Sequence, residues 1–160
     1  MIVYNDIKRQ FVNDVKDNSI ADKILEAIKM RGLNAGHEKE YSSWQNSMQF
    51  MRNIVDDSDI DDEVRICIEY NIPLTSKRVD FIIAGADNYG KDNIVIVELK
   101  QWQKAEVVAD DMHYCVRTYV ANSDRIVCHP SYQAYSYSCF LRNYSQSLTD
   151  EGISLIPCAY

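Results

Sequence analysis

At 160 residues, with 46% hydrophobic and 26% charged positions, the chain has the make-up of one soluble globular domain able to bury a core. Its start, Met1-Ile-Val-Tyr-Asn-Asp-Ile-Lys8, lacks the zones of a secretory signal, and no apolar run reaches the length of a membrane span. A cytoplasmic protein with no membrane partner is expected. The formal net charge of −7 excludes a surface that is basic throughout, but Asp56, Asp57, Asp59, Asp61, Asp62 and Glu63 concentrate much of the acidity in one stretch and leave the rest near neutral.

In chain order, Asn5 or Asp6 can cap a first helix carrying Ile7, Phe11 and Val15 at helical spacing. Asn18-Ser19 reads as the next cap, ahead of Ile20, Ile24, Leu25 and Ile28, with Gly32 as the stop. A third helix is expected over 37–55, its apolar stripe formed by Trp44, Met48, Met51 and Val55. One turn before Trp44 on that stripe lies Glu40, an acid at the inward end of an apolar face. It is either a candidate ligand, with Glu38 and His37 as rivals, or an acid favoured by the helix dipole.

The acidic stretch reads as a solvated connection to a strand over 64–70, which Glu69 nearly ends. A strand-end glutamate is more often a surface residue than a ligand. Pro73 and Thr75-Ser76 then turn the chain into a hairpin. Arg78-Val-Asp-Phe-Ile-Ile-Ala84 and Asn93-Ile-Val-Ile-Val-Glu-Leu-Lys100 are rich in β-branched and aromatic residues, and residues 85–92 have turn chemistry. If Ala84 faces Ile94, the antiparallel register puts Asp80 opposite Glu98, with Glu98 and Lys100 on one face and Leu99 on the other. Facing carboxylates repel. A divalent cation between them relieves that repulsion, and a hard ion such as Mg²⁺ takes oxygen ligands of this kind.

Residues 102–127 read as an insertion decorating the sheet, strand-like from Met112 to Val120. Pro130 suits a first helical turn, so a helix is expected from Pro130 to about Asn143. It would stack Gln133 and Tyr137 on one face at i and i+4. A last strand is expected over 152–158. The five cysteines are odd in number and scattered, without a Cys-x-x-Cys pair, and read as free thiols; their spacing fits no zinc site or iron–sulfur cluster.

Asp80 with Glu98-Leu99-Lys100 resembles the active site of the PD-(D/E)xK nuclease superfamily, with Val79 where the motif's leading proline stands. Gln133-x-x-x-Tyr137 is similar to a further motif of the RecB-like branch. The resemblance spans roughly residues 37–157 and implies an α/β fold: a mixed central β-sheet flanked by helices, a restriction-endonuclease-like αβββαβ core over 37–160, and extra amino-terminal helices over 1–36. It looks closest to the amino-terminal nuclease-like domain of bacterial proteins that carry a helicase-type ATPase downstream. A single domain cut from a longer protein is therefore expected.

The resemblance further implies a Mg²⁺-dependent DNA nuclease, with Mn²⁺ as substitute. Asp80, Glu98, Glu40 and the Leu99 carbonyl would hold metal. Asp80, Glu98 and Lys100 would be catalytic, with Lys100 orienting the attacking water or stabilising developing charge. Gln133 and Tyr137 would support the carboxylates or bind substrate. Lys77, Arg78, Lys104 and Arg117 are candidate phosphate contacts, and Trp102 and Tyr114 candidate stacking groups. Two other classes stay open: a catalytically idle nucleic-acid-binding module of the same fold, and a protein-interaction domain using the acidic stretch. Pairing as a homodimer, as nucleases of this fold often do, is open as well.

Overall fold

Strands that bury residues on both faces need cover on both sides, and the central strands here do so. The computed structural model describes residues 1–32, 38–108 and 113–160. Strand β1 (Tyr4–Ile7) runs into helix α1 (Lys8–Lys16), followed by α2 (Ile20–Met30) and α3 (Glu38–Val55). Then come β2 (Arg65–Asn71), β3 (Arg78–Ala86) and β4 (Asp92–Glu98). A small separate sheet holds β5 (Ala105–Val107), β6 (Cys115–Val120) and β7 (Ser123–Cys128), and α4 (Pro130–Tyr144), α5 (Gln146–Asp150) and β8 (Ser154–Ala159) follow.

The main sheet has the order β1-β2-β3-β4-β8. Its first four strands are antiparallel neighbours, and β8 returns parallel to β4 after α4. It is a mixed sheet flanked by helices. One face buries Ile66, Ile68, Phe81 and Val97 against Phe11 and Val15 of α1, Ile24 of α2 and the α3 stripe. Trp44, Met48, Met51 and Val55 are all buried there, as their spacing predicts. The other face packs Cys67, Ile82 and Ile96 against Tyr137 and Leu141 of α4.

Two expectations need correction. The segment read as the start of the first helix is strand β1, with Tyr4 opposite Ile68 and Ile7 opposite Arg65. Four residues are too few to show a period of two, and what makes them a strand is the otherwise unpaired edge of β2. The amino-terminal segment is thus part of the sheet. The described strands of the segment expected to decorate the main sheet, β5, β6 and β7, pair in a sheet of their own, and residues 109–112, Met112 included, lie outside the described residues.

The acidic stretch is a solvated connection, as its composition suggests, with all six acids exposed, but it is also pinned to α1. Lys8, 4% exposed, donates to the Asp57 and Ile60 carbonyls and pairs with Asp62 at 3.0 Å. Arg9 pairs with Glu63, and Lys16 with Asp56. Burying an ammonium requires this degree of pairing. The stretch therefore folds back over α1.

Candidate active site

The β3–β4 hairpin sets the site. Asp87 closes its turn by accepting from the Tyr89 and Lys91 N–H groups, and Gly90 takes φ +75°, a region glycine enters without penalty. The pairing is Ala84 with Ile94 through Phe81 with Val97, as the sequence predicts, so the next pair in that register is Asp80 with Glu98. Asp80 Oδ2 accepts the Leu99 N–H at 2.9 Å, which ties the open end of the hairpin together.

Glu98 is 2% exposed. Its Oε1 accepts from Lys100 Nζ at 2.5 Å and from Gln133 Nε2 at 2.6 Å, while its buried Oε2 meets no donor among the described residues. Burial first, and the neighbouring Asp80 charge second, push the Glu98 carboxyl up to about 7 against the pull of Lys100. Burial also raises the Asp80 carboxyl, against the Leu99 N–H and Lys100. The two carboxyls resist being ionised together.

Helix α4 supplies the rest. His129 Nδ1 accepts the Ser131 N–H and Pro130 fills the first turn, which starts the helix so that Gln133 meets Glu98. Gln133 also donates to the Tyr137 hydroxyl at 2.7 Å. That leaves the Tyr137 O–H to donate into the cleft, and burial holds the phenol protonated. The cleft, about 480 Å³, is lined by Lys77, Arg78, Asp80, Glu98, Lys100, Gln133 and Tyr137. Lys77 Nζ stands 5.7 Å from the Tyr137 ring centroid.

Behind Asp80 is a second carboxylate assembly that sequence reasoning undervalued. Glu69 is 4% exposed and sits at φ +57°, rare for a side chain in a strand. Before it, Ile68 and Phe81 pack under α1–α3; after it, Tyr70 and Val79 pack on the α4 side. Strict alternation would keep all four on one face. The left-handed residue is where the alternation slips, and its carboxylate turns to α3, where Trp44 Nε1 donates to Oε1 at 2.7 Å. Arg78 pairs with Oε2, and burial raises this carboxyl to about 7. Glu40, half-buried, lies 3.6 Å from the same arginine. Glu40, Glu69 and Asp80 share the lining of one small cavity of about 110 Å³. A glutamate inside the apolar run Ile66-Cys-Ile-Glu-Tyr70 was the one available signal for this arrangement.

The structure thus brings together Asp80, Glu98, Leu99, Lys100, Gln133 and Tyr137, with Arg78 and Lys77 at the rim. Glu40 approaches through Arg78. Its rival His37 and the Glu38 side chain lie outside the described residues. Lys104 pairs with Glu106, Arg117 is exposed on β6, and Tyr114 stacks on Tyr132 at 4.2 Å.

Among the described residues, no group of three or more His, Cys, Asp or Glu side chains forms a ready cage for a metal ion. Asp80 and Glu98 could hold a hard cation that keeps most of its waters and binds through one or two carboxylates, as Mg²⁺ does. Glu98 Oε2, which accepts from no donor among the described residues, would be open to such a cation in place of the proton through which Glu98 can bond Asp80.

No family model, curated protein or solved structure matches this chain. No helix among the described residues is long and apolar enough to cross a membrane.

Proposed function

We propose that the chain is a metal-dependent nuclease domain of the PD-(D/E)xK type that hydrolyses phosphodiester bonds in DNA. The observation that carries this is the Asp80–Glu98 pair, with Glu98 held by Lys100 from its own strand and Gln133 from α4. With the separate β5–β7 sheet and the short α5 set aside, the succession α3-β2-β3-β4-α4-β8 supports a restriction-endonuclease-like core, being helix, three strands, helix, strand.

Asp80, Glu98 and the Leu99 carbonyl would hold Mg²⁺, with Glu40 close by in the adjoining cavity. The ion would supply Lewis acidity and a water more acidic than bulk water. The residues themselves have separable tasks. Lys100 places a positive charge beside Glu98, where negative charge builds on a phosphate under attack. Gln133 fixes the Glu98 carboxylate, which sets where its free oxygen points. Tyr137 donates to substrate, and Lys77 and Arg78 attract phosphate at the rim. The 3′-hydroxyl and 5′-phosphate products follow from the family resemblance, as does a helicase-type ATPase elsewhere in the same polypeptide.

The acidity of the chain is compatible with this reading. The acidic stretch lines a cavity with Ala86, Asp87 and Asn88, at the turn end of the hairpin. From Asp80 to Asp87 the strand runs roughly 23 Å, more than twice the ~8–10 Å screening length in physiological salt. Asp56, Asp62 and Glu63 pair with Lys16, Lys8 and Arg9 of α1, which offsets part of that stretch's charge.

The test is conversion of supercoiled plasmid to nicked circles in Mg²⁺ or Mn²⁺, native chain against Lys100→Ala. Cleavage that requires metal and disappears in the variant supports the proposal. Cleavage that survives Lys100→Ala places the chemistry elsewhere, and a native chain that never cleaves favours the idle binding module.

A further inference from the structure

Beside the cleft, on the far side of Lys100, lie two adjoining cavities of about 500 and 390 Å³. They share Lys100, Trp102 and Tyr160. The first is walled by Phe50 of α3, Trp102 and Tyr160; the second extends towards Lys104 and the start of α4. Among the described residues, none of the side chains lining either cavity is an Asp or Glu, in a chain with 24 acidic residues.

The aromatic walls are tied to the site by the main chain. Tyr160 donates its N–H to the Glu98 carbonyl and accepts from the Lys100 N–H, both at 2.9 Å. Gln101 Nε2 donates to the Ser43 carbonyl and to the Ser43 and Ser47 hydroxyls at 2.8–3.1 Å, which pins the segment after β4 to α3. Trp102 follows directly, and Lys100 Nζ is 5.9 Å from its ring centroid. The Phe50 and Tyr160 rings lie 6.1 Å apart at 42°. Phe50 and Tyr160 are 52% and 54% exposed. An exposed aromatic trough lined by Lys100 and Lys104, each paired with a glutamate that does not itself line it, has the features that receive an alternating chain of phosphates and flat rings. Duplex bases keep their faces stacked on one another, whereas unpaired bases offer them.

We propose that this trough binds single-stranded nucleic acid, stacking unpaired bases on Trp102 and its aromatic neighbours and delivering the strand past Lys100 to the Asp80–Glu98 cleft. The inference rests on the nuclease reading for its direction, but its binding component can be measured alone.

The test is a fluorescence titration of the native chain with a short oligothymidylate, without divalent metal, against a duplex of equal length. Trp44 is buried but lines the cavity behind Asp80, so the change is assigned to Trp102 by its absence in Trp102→Ala. The expected result is quenching by the single strand, tighter binding of it than of the duplex, and a loss of at least about tenfold in affinity by anisotropy in both Trp102→Ala and Phe50→Ala. Phe50 is half exposed, so its truncation leaves the core intact and guards against misfolding of the tryptophan variant.

Equal or tighter binding of duplex, or unchanged affinity in both variants, overturns the inference, including the case in which another segment of polypeptide fills the trough. Metal-dependent cleavage with no single-strand binding would sink the trough and spare the nuclease. Strand binding through Trp102 in a chain that never cleaves would do the reverse.

Discussion

Gln133 Nε2 donates to Glu98 Oε1 at 2.6 Å, joining the first turns of α4 to the last residue of β4. The same amide nitrogen donates to Tyr137, so one side chain orients both the buried carboxylate and the phenol. Groups that orient a ligand without being ligands typically matter by about 10–100-fold. Gln133→Ala should therefore lower metal-dependent cleavage by about that factor while leaving the melting temperature within a few degrees. Tyr137→Phe should cost less, because it keeps the ring that packs beside Leu141. Equal activity in native and Gln133→Ala, at saturating and limiting Mn²⁺, would remove Gln133 from the site.

The buried acids make a signed prediction about pH. The Glu98 carboxyl lies at about 7 when folded against an ordinary 4.5, so between those values the folded state holds a proton that the unfolded state releases. Stability owed to this group is complete at low pH and falls as pH rises towards 7. Native stability measured relative to Glu98→Gln should therefore decline from pH 4.5 to 7.5 in urea titrations. A relative stability that is flat or rises over this range would contradict the burial argument. A cation competes with that proton, so added Mn²⁺ should raise the native melting temperature more at pH 8 than at pH 5.

Trp44 and Glu69 allow a test of the left-handed turn of β2. The indole N–H is the donor to a carboxylate oxygen buried with it. Trp44→Phe keeps most of the ring but leaves that oxygen unsatisfied, which costs ~1–3 kcal/mol. The expected outcome is a lower urea midpoint with an unchanged slope. An unaltered midpoint would mean that the bond contributes nothing.

Asp14 binds the amino-terminal elements together. It is 3% exposed and accepts from Tyr4 Oη at 2.9 Å, and from Gln10 and Lys23 at 2.7 Å each. Asp14→Ala strands the buried Tyr4 hydroxyl and frees Lys23 into solvent. A loss of ~2–3 kcal/mol is expected, and it should be smaller in a Tyr4→Phe background, because there the hydroxyl is already gone. Additive losses would show that the two side chains act separately.

The parts of the fold that were legible in the sequence are those written in local pattern. The 3.6-residue stripe from Trp44 to Val55, the proline at the start of α4, and the β-branched runs of the hairpin each carry their own signal, whereas the His129 cap was not read from the sequence. Because pairing Ala84 with Ile94 fixes every other pair, the juxtaposition of Asp80 with Glu98 was legible too. What was not legible depends on partners distant in sequence. Strand β1 exists because β2 has a free edge, Lys8 is buried because residues 57–62 close over it, and Glu69 turns inward because Trp44 and Arg78 receive it. None of these leaves a period or a motif. The wrapping of Gln101 onto Ser43 and Ser47, 58 and 54 residues away, is of the same kind.

The central claim is that Asp80 and Glu98 face each other as a cation site, and Mn²⁺ binding tests it without requiring substrate or turnover. Calorimetric titration of the native chain at pH 8, where the Glu98 carboxyl is ionised, should show saturable uptake that Asp80→Asn and Glu98→Gln each abolish or sharply weaken. A native chain that takes up no Mn²⁺ at pH 8, or one whose uptake is the same in both variants, would contradict the account.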